Sequence, residues 1–232
     1  MKAHRLVVLA AAGVSALVLS GCSQSLGGDV AATVDGRTIS NADVKFLARL
    51  QCDAIDNAGK DPAQSGSVQT VSRRQVRADM VNALVQSRLN AELGKEQGVT
   101  YDRATYRQAM DQFEPTVQAV AAKDRAKFRT MIGKLYQSQL EVYAIAAREL
   151  GAQGVDKPTQ QQVEALVTKI QGDYRKQADI EIDPIYGAGK SGIAGSDDTS
   201  ISEPVSSFAK ASVASPEDAG WAGSLPANQK CG

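Results

Sequence analysis

The chain has 232 residues, and its 26 lysine and arginine residues balance 26 aspartate and glutamate residues, so the formal net charge is zero. This balance gives no electrostatic basis for nucleic-acid binding or for a polybasic patch that binds a membrane. The length allows one hydrophobic core of ordinary size, or one core plus extensions.

Residues 1–21 have the composition of an export signal. Two basic residues and a histidine stand in the first five positions, and the uncharged residues 6–19 are too few to span a bilayer. The order Leu-Ser-Gly-Cys at 19–22 resembles the lipobox of bacterial lipoproteins, in which the cysteine is linked to lipid. We therefore expect cleavage before Cys22, a diacylglycerol thioether and further acylation (palmitate) there, and a location on the extracytoplasmic face of the cell membrane. The alternative is an ordinary signal peptide in which Cys22 stands by chance.

The mature chain would contain no histidine, because His4 is the only one and lies in the leader. It would therefore lack the commonest general base and the commonest zinc ligand. The sequence contains no glycine-rich phosphate loop, no G-x-S-x-G elbow and no histidine-containing zinc motif. Asp197-Asp198 is a candidate for calcium, and a Ser-Lys dyad stays open because both residue types are plentiful. We nevertheless expect no enzyme, no cofactor and no metal.

Two cysteines, Cys52 and Cys231, remain once Cys22 carries lipid. A single pair of thiols in an exported chain predicts a disulfide. Two free thiols, or an intermolecular bridge through Cys231, are the alternatives. The intramolecular bridge would tie the C-terminal segment to the first helix.

The first predicted elements follow a short polar, lipidated tether over residues 22–29. Alternation of apolar residues over 30–34 predicts a strand, Asp35-Gly36 predicts a turn, and residues 38–39 resume an extended segment. Ser40 is a suitable N-cap and predicts the start of the first helix.

Four further helices are predicted beyond a loop at residues 57–68. Apolar residues recur at three- to five-residue steps, and N-cap residues precede several of the helices. The four helices begin at Ser72, near Asp102, near residue 123 and at Thr159. Gln75 and Gln162 stand three residues after Ser72 and Thr159, which predicts a capping box at each of these two helix starts. Pro115 removes a backbone donor, which predicts a kink or a break around Glu114.

The last part of the chain differs in composition. Ile180-Glu181-Ile182 predicts a short strand, and from residue 188 glycine, serine, alanine, aspartate and proline dominate. We therefore expect a flexible, irregular tail over 188–232, in which Trp221 is a packing anchor or, alternatively, a ligand platform. The predicted fold class is mainly α, with about five helices and a small strand pairing.

Three segments carry a resemblance to a known family. They are Val-Ala-Ala-Thr-Val-Asp-Gly-Arg-Thr-Ile-Ser-Asn-Ala-Asp-Val at 30–44, Gly-Val-Thr-Tyr-Asp at 98–102 and Ile-Asp-Pro-Ile-Tyr-Gly at 182–187. In this order, behind a lipobox, they resemble the SurA/PrsA chaperone family. Asp35 stands where the family usually has asparagine, and Ile185 stands where arginine is typical.

The resemblance implies a SurA N-terminal-like helical module over 30–187, in which the strands at 30–34 and 180–182 pair with each other. Many family members also carry a histidine-containing parvulin-type prolyl isomerase domain. Since no histidine follows Gly187, we expect that domain to be absent here.

The expected function is that of a membrane-anchored, chaperone-like lipoprotein. It would bind unfolded or extended segments of exported client proteins without catalysing a reaction. We expect no binding of nucleic acid. One alternative is a subunit that docks on one defined partner in the cell envelope. Another is a peptidyl-prolyl isomerase with an unrecognised site. The oligomeric state stays open.

Overall fold

The computed structural model describes residues 28–62, 68–187, 205–212 and 217–232. The predicted leader, Cys22, most of the tether and Asp197-Asp198 lie outside these ranges. In chain order the elements are β1 (Val30–Val34), β2 (Arg37–Ser40), α1 (Asn41–Lys60), β3 (Val71–Ser72), α2 (Arg73–Glu96), α3 (Arg103–Ala119), α4 (Ala122–Ala152), α5 (Gln160–Arg175), β4 (Ile180–Ile182), α6 (Ser207–Ser212), α7 (Ala219–Ser224) and β5 (Lys230–Cys231). Short 3₁₀ turns cover Pro184–Tyr186 and Ala227–Gln229. The fold is mainly helical, as the sequence predicts.

A three-stranded antiparallel sheet joins the two ends of the helical body. The turn between β1 and β2 needs positive φ at both central residues, and Asp35 and Gly36 have φ of 48° and 74°. The strand order is β2-β1-β4, with Thr33 opposite Glu181. The predicted pairing of residues 30–34 with 180–182 is therefore confirmed.

Helix α2 lies at the centre of the fold and contacts α1, α4, α5 and the sheet. Val81, Val85 and Leu89 follow one another at four-residue steps, so they share a face, and all three are buried. They belong to the core that includes the sheet. Farther along α2, Leu93 joins a second core with Val142 and other residues of α4 and α5. Helix α2 is thus held by neighbouring elements on several sides.

The predicted helix starts are confirmed. Ser40, Ser72, Asp102 and Thr159 are N-caps whose side chains accept a backbone hydrogen bond three residues later. Such a bond satisfies a donor that the first helical turn leaves unpaired. Helix α1 is longer than predicted, because it continues to Lys60 into the stretch that composition assigns to a loop.

The predicted break near Glu114 is absent, because α3 continues through Pro115 to Ala119. Proline removes one hydrogen bond to the carbonyl four residues earlier, here that of Asp111. Both Asp111 and Pro115 are exposed, so water can satisfy that carbonyl. The helix therefore tolerates the proline.

The C-terminal segment is more regular than its composition indicates. Within residues 188–232, the described stretches 205–212 and 217–232 form two short helices, a 3₁₀ turn and a strand. Strand β5 pairs with β3, with Val71 opposite Cys231. Contacts with residues far away in the sequence stabilise this regular structure. Such contacts leave no periodic pattern in the sequence of a short segment.

Within the described ranges, no helix combines the length and the apolar character that crossing a bilayer requires.

Two glycine substitutions in helices should have opposite effects on stability. A Cβ at Gly133 would lie 2.6 Å from the hydroxyl oxygen of Tyr106, whereas one at Gly172 would meet no atom within 4 Å. Gly133→Ala should lower the free energy of unfolding by about 1–2 kcal/mol through overpacking. Gly172→Ala should raise it by about 0.5–1 kcal/mol, because alanine favours the helix. Urea unfolding of both variants tests this, and equal effects would contradict the close packing of α3 on α4.

Candidate functional site

The predicted disulfide is present between Cys52 of α1 and Cys231 of β5. The two Cα atoms are 5.1 Å apart, and both side chains are buried. Two further contacts hold the same chain end. The Gly232 amide donates to the Asp56 carboxylate at 2.6 Å, and Arg73 Nε donates to the Lys230 carbonyl at 3.1 Å. The C-terminal segment is thus fixed against α1 and the start of α2.

The N-terminus of α2 binds this segment as well. The sequence predicts a capping box between Ser72 and Gln75, but the Gln75 side chain donates to Asp79 instead, at 2.8 Å. Glu217 replaces Gln75 as the acceptor at this helix start. The Glu217 carboxylate accepts hydrogen bonds from the Ser72 backbone N–H at 2.7 Å and from the Ser72 hydroxyl. A carboxylate at a helix N-terminus is favoured by the helix dipole. Burial raises the pKa of the nearby Asp79 carboxyl; the Gln75 hydrogen bond opposes this rise, and the charge of Glu217 adds to it.

The first candidate site is a groove of about 460 Å³ where β2 and the start of α1 meet α2 and α4; we call it the helical groove. Its apolar lining consists of Ile39, Leu84, Ala91, Met131 and Leu135. Leu84, Met131 and Leu135 are only half-buried. Apolar side chains on rigid helices therefore remain accessible to a ligand.

Polar groups complete the helical groove. The hydroxyls of Ser87 and Ser138 are 2.9 Å apart, and Ser138 also donates to the Leu135 carbonyl. Lys134 lines the groove too, but in the described part of the chain neither hydroxyl is bonded to a lysine. The arrangement therefore lacks the contact that a Ser-Lys dyad requires.

Two carboxyl groups that line the helical groove, those of Asp43 and Glu141, have shifted pKa values. Burial alone would raise the pKa of Asp43, but hydrogen bonds from Lys127 and Ser40 outweigh it and hold the pKa below its usual value. Lys127 Nζ lies 2.7 Å from the Asp43 carboxylate and links α4 to α1. Burial raises the pKa of Glu141, against a hydrogen bond from Gln137. The lining of the groove thus combines apolar side chains with charged ones, which also include Arg88 and Lys134.

The second candidate site is a cavity of about 790 Å³ between α1, the start of α2 and the C-terminal segment; we call it the cationic cavity. Five basic side chains line it: Lys45 and Arg49 from α1, and Arg73, Arg74 and Arg77 from α2. Spacings of four residues place Lys45 above Arg49 and Arg73 above Arg77 on their helices. The two helices therefore present positive charge to the same space.

Most of these cations have no carboxylate partner among the described residues. Arg49 forms ion pairs with Asp53 and with Asp124, the latter at 2.9 Å. Arg74 donates to the Ser212 carbonyl, and Arg77 Nε donates to the carbonyl of Arg73 in its own helix at 3.2 Å. Hydrogen bonds to carbonyls fix the guanidinium groups without neutralising them.

Aromatic rings close one side of the cationic cavity. The ring centroids of Phe208 and Trp221 are 5.8 Å apart, and both side chains line the cavity. The indole nitrogen of Trp221 is buried and has no hydrogen-bond partner in the described ranges. Trp221 therefore serves as a wall of the cavity and packs against Phe208.

Sequence reasoning missed the cationic cavity. A balanced net charge predicts no polybasic patch, whereas the fold gathers cations from two helices around one space. Two arginines in sequence, Arg73-Arg74, were the only local signal. Among residues 28–62, 68–187, 205–212 and 217–232, no cluster of three or more potential metal ligands occurs. Cys22 lies outside those residues, so lipidation remains a prediction.

Comparison with models of protein families, with curated proteins and with solved structures finds no match. The similarity to the SurA/PrsA family is thus carried by the three sequence segments and stays a prediction.

Proposed function

We propose that the protein is a lipid-anchored, non-catalytic chaperone-like protein that binds unfolded or extended segments of exported polypeptides in the helical groove. The observation that carries the proposal is the half-buried apolar lining of this groove on α2 and α4. Each large apolar side chain that a client buries there contributes about 1.5–3 kcal/mol.

The chemistry of the helical groove suits clients of varied sequence. Met131 is flexible and polarisable, so it adapts to different apolar side chains. Ser87 and Ser138 have hydroxyls that can exchange hydrogen bonds with a client backbone. A volume of about 460 Å³ lies in the range that accommodates a few side chains at a time.

The predicted anchor adds a location to this binding activity. A lipid on Cys22 would hold the groove near the membrane surface where exported chains emerge. The resemblance to the SurA/PrsA family supports the same proposal from the sequence.

Aggregation of an unfolded client tests the proposal. The chain of residues 23–232, which contains every described residue, should suppress aggregation in molar excess. Met131→Glu should raise the concentration needed for half-maximal suppression by about tenfold, because a charge replaces accessible apolar surface that a bound client would bury. Ile185→Glu is the matched control, since Ile185 is 65% exposed and lies outside the groove. No suppression by the native chain, or equal effects of both substitutions, would refute the proposal.

A second function is favoured by the scarcity of exposed apolar surface. In the described part of the chain only Ile185, Val205 and Phe208 are exposed large hydrophobic residues, which is little for a protein that binds many clients. This favours a subunit that docks one defined envelope partner through the groove. Cross-linking in membranes separates the two: one stoichiometric partner, lost in Met131→Glu, supports docking, and a mixed set of clients supports the chaperone.

A further inference from the structure

The position where the chain enters the fold is fixed by Asn41 at the start of α1. Asn41 Nδ2 donates to the carbonyls of Gly28 at 2.6 Å and Val30 at 3.2 Å, and the backbone N–H of Asn41 donates to the backbone carbonyl of Asp29 at 2.8 Å. Asn41 is only 4% exposed. Gly28 is therefore held next to the first turn of α1.

The length of chain before Gly28 limits the distance to a membrane. Six residue steps separate Cys22 from Gly28, and six extended residues reach at most about 22 Å. A lipid on Cys22 would therefore keep the bilayer surface within about 22 Å of the start of α1. This step rests on the lipid anchor that is part of the proposed function.

The cationic cavity lies at this same end of the protein. Lys45 follows Asn41 by four residues, so it is about 6 Å farther along α1. Arg77 lines the same cavity as Lys45. Its helix α2 contacts the 3₁₀ turn Pro184–Tyr186, and the Tyr186 hydroxyl donates to Asn41. Burial and Asp183 raise the pKa of Tyr186, and Arg77 opposes them. Lys45 and Arg77 are thus both close to the entry point of the chain.

Exposed apolar residues accompany the charge. Phe208, 56% exposed, lines the cationic cavity, and Val205, 89% exposed, precedes it by three residues. Ile185, which is exposed as well, neighbours Tyr186. Basic residues with apolar side chains beside them are typical of surfaces that bind a bilayer interface, where anionic headgroups attract the charges.

We propose that the cationic cavity is a docking surface for the anionic phospholipid headgroups of the bilayer that carries the anchor. Lys45, Arg73, Arg74 and Arg77 supply charges without carboxylate partners, although Glu217 at the start of α2 offsets part of their field. Docking orients the fold with the C-terminal segment toward the membrane. It also adds a second, electrostatic contribution to a lipid anchor, which makes attachment more stable than one signal alone.

Vesicle sedimentation of residues 23–232, without lipid on the protein, tests docking directly. The chain should bind vesicles of equal parts phosphatidylcholine and phosphatidylglycerol, and should bind phosphatidylcholine alone at least about tenfold more weakly. Raising the salt to about 1 M should abolish the preference.

The informative variant is Lys45→Gln/Arg77→Gln. Lys45 forms no hydrogen bond or ion pair with other described residues, and the bond of Arg77 lies within its own helix, so folding should be unaffected. Each positive charge near an anionic surface strengthens binding about fivefold. Removing both charges should therefore weaken binding to the vesicles about 25-fold. The matched control is Lys95→Gln/Lys157→Gln, which removes two exposed charges away from the cavity and should change binding less than about twofold.

Several results would overturn the proposal: equal binding to both kinds of vesicle, or equal losses in the two double variants. Binding of polyglutamate that requires Lys45 and Arg77, without vesicle binding, would assign the cavity to acidic polypeptides instead. The aggregation assay contains no vesicles and depends on Met131, so Lys45→Gln/Arg77→Gln should keep full activity there. Failure of docking and failure of client binding are therefore distinguishable.

Discussion

Replacing Cys52 and Cys231 together by serine is expected to lower the free energy of unfolding by about 2–5 kcal/mol. The two residues are 179 positions apart, so the bridge closes a long loop and removes much of the entropy of the unfolded chain. In the native state, both side chains lie in a small core with Ala48 and Val76. Loss of the bridge should therefore release the C-terminal segment before the rest of the fold.

Urea unfolding with and without reductant measures this effect. The native chain should lose stability on reduction, whereas the double serine variant should not respond to reductant. Limited proteolysis should cut the variant first within residues 205–232, because local opening needs less free energy than global unfolding. If oxidised and reduced native chains unfold at the same urea concentration, the bridge does not stabilise the fold.

Replacing Asn41 by alanine is expected to lower the free energy of unfolding by about 3 kcal/mol. The Asn41 side chain accepts from the Tyr186 hydroxyl and donates to the carbonyls of Gly28 and Val30. Each buried polar group that is left without a partner costs about 1–3 kcal/mol. The substitution would thus detach the entering chain and the turn after β4 from α1 at once.

Tyr186→Phe is the matched control for Asn41→Ala. It removes one hydroxyl and leaves the Gly28 and Val30 contacts intact, so its effect should be about 1 kcal/mol. The double variant should lose less than the sum of the two single effects, because the residues share one hydrogen bond. If urea unfolding shows additive losses, the Tyr186 contact does not couple the entering chain to the turn after β4.

The local parts of the fold could be predicted because their causes lie within a few residues. Ser40 and Thr159 start helices because their side chains satisfy amides of the next turn. Asp35-Gly36 forms a turn because these residues tolerate positive φ. The break predicted from Pro115 was wrong, because the effect of a proline depends on whether solvent reaches the carbonyl that loses its hydrogen bond, here that of Asp111. No local sequence pattern reveals this accessibility.

The candidate sites were harder to predict, because distant segments form them. The helical groove combines β2 with α1, α2 and α4. The cationic cavity places Lys45 near Arg77 and covers both with a segment more than 120 residues later. Net charge sums over the whole surface, so it conceals a local concentration of one sign. The capping of Ser72 by Glu217 is likewise a long-range contact that sequence spacing cannot indicate.

The sequence by itself determined the helical class, the hairpin and the main helix starts, and it favoured the pairing of thiols that the fold contains. It also predicts the leader and the lipid on Cys22. Only the tertiary structure decided that Asn41 fastens the entering chain beside Lys45, and that Cys231 holds the C-terminal segment over the cationic cavity. The physical reason is the separation of the interacting residues along the sequence. Caps and turns depend on residues a few positions apart, whereas cavities depend on the packing of residues that are far apart in the sequence.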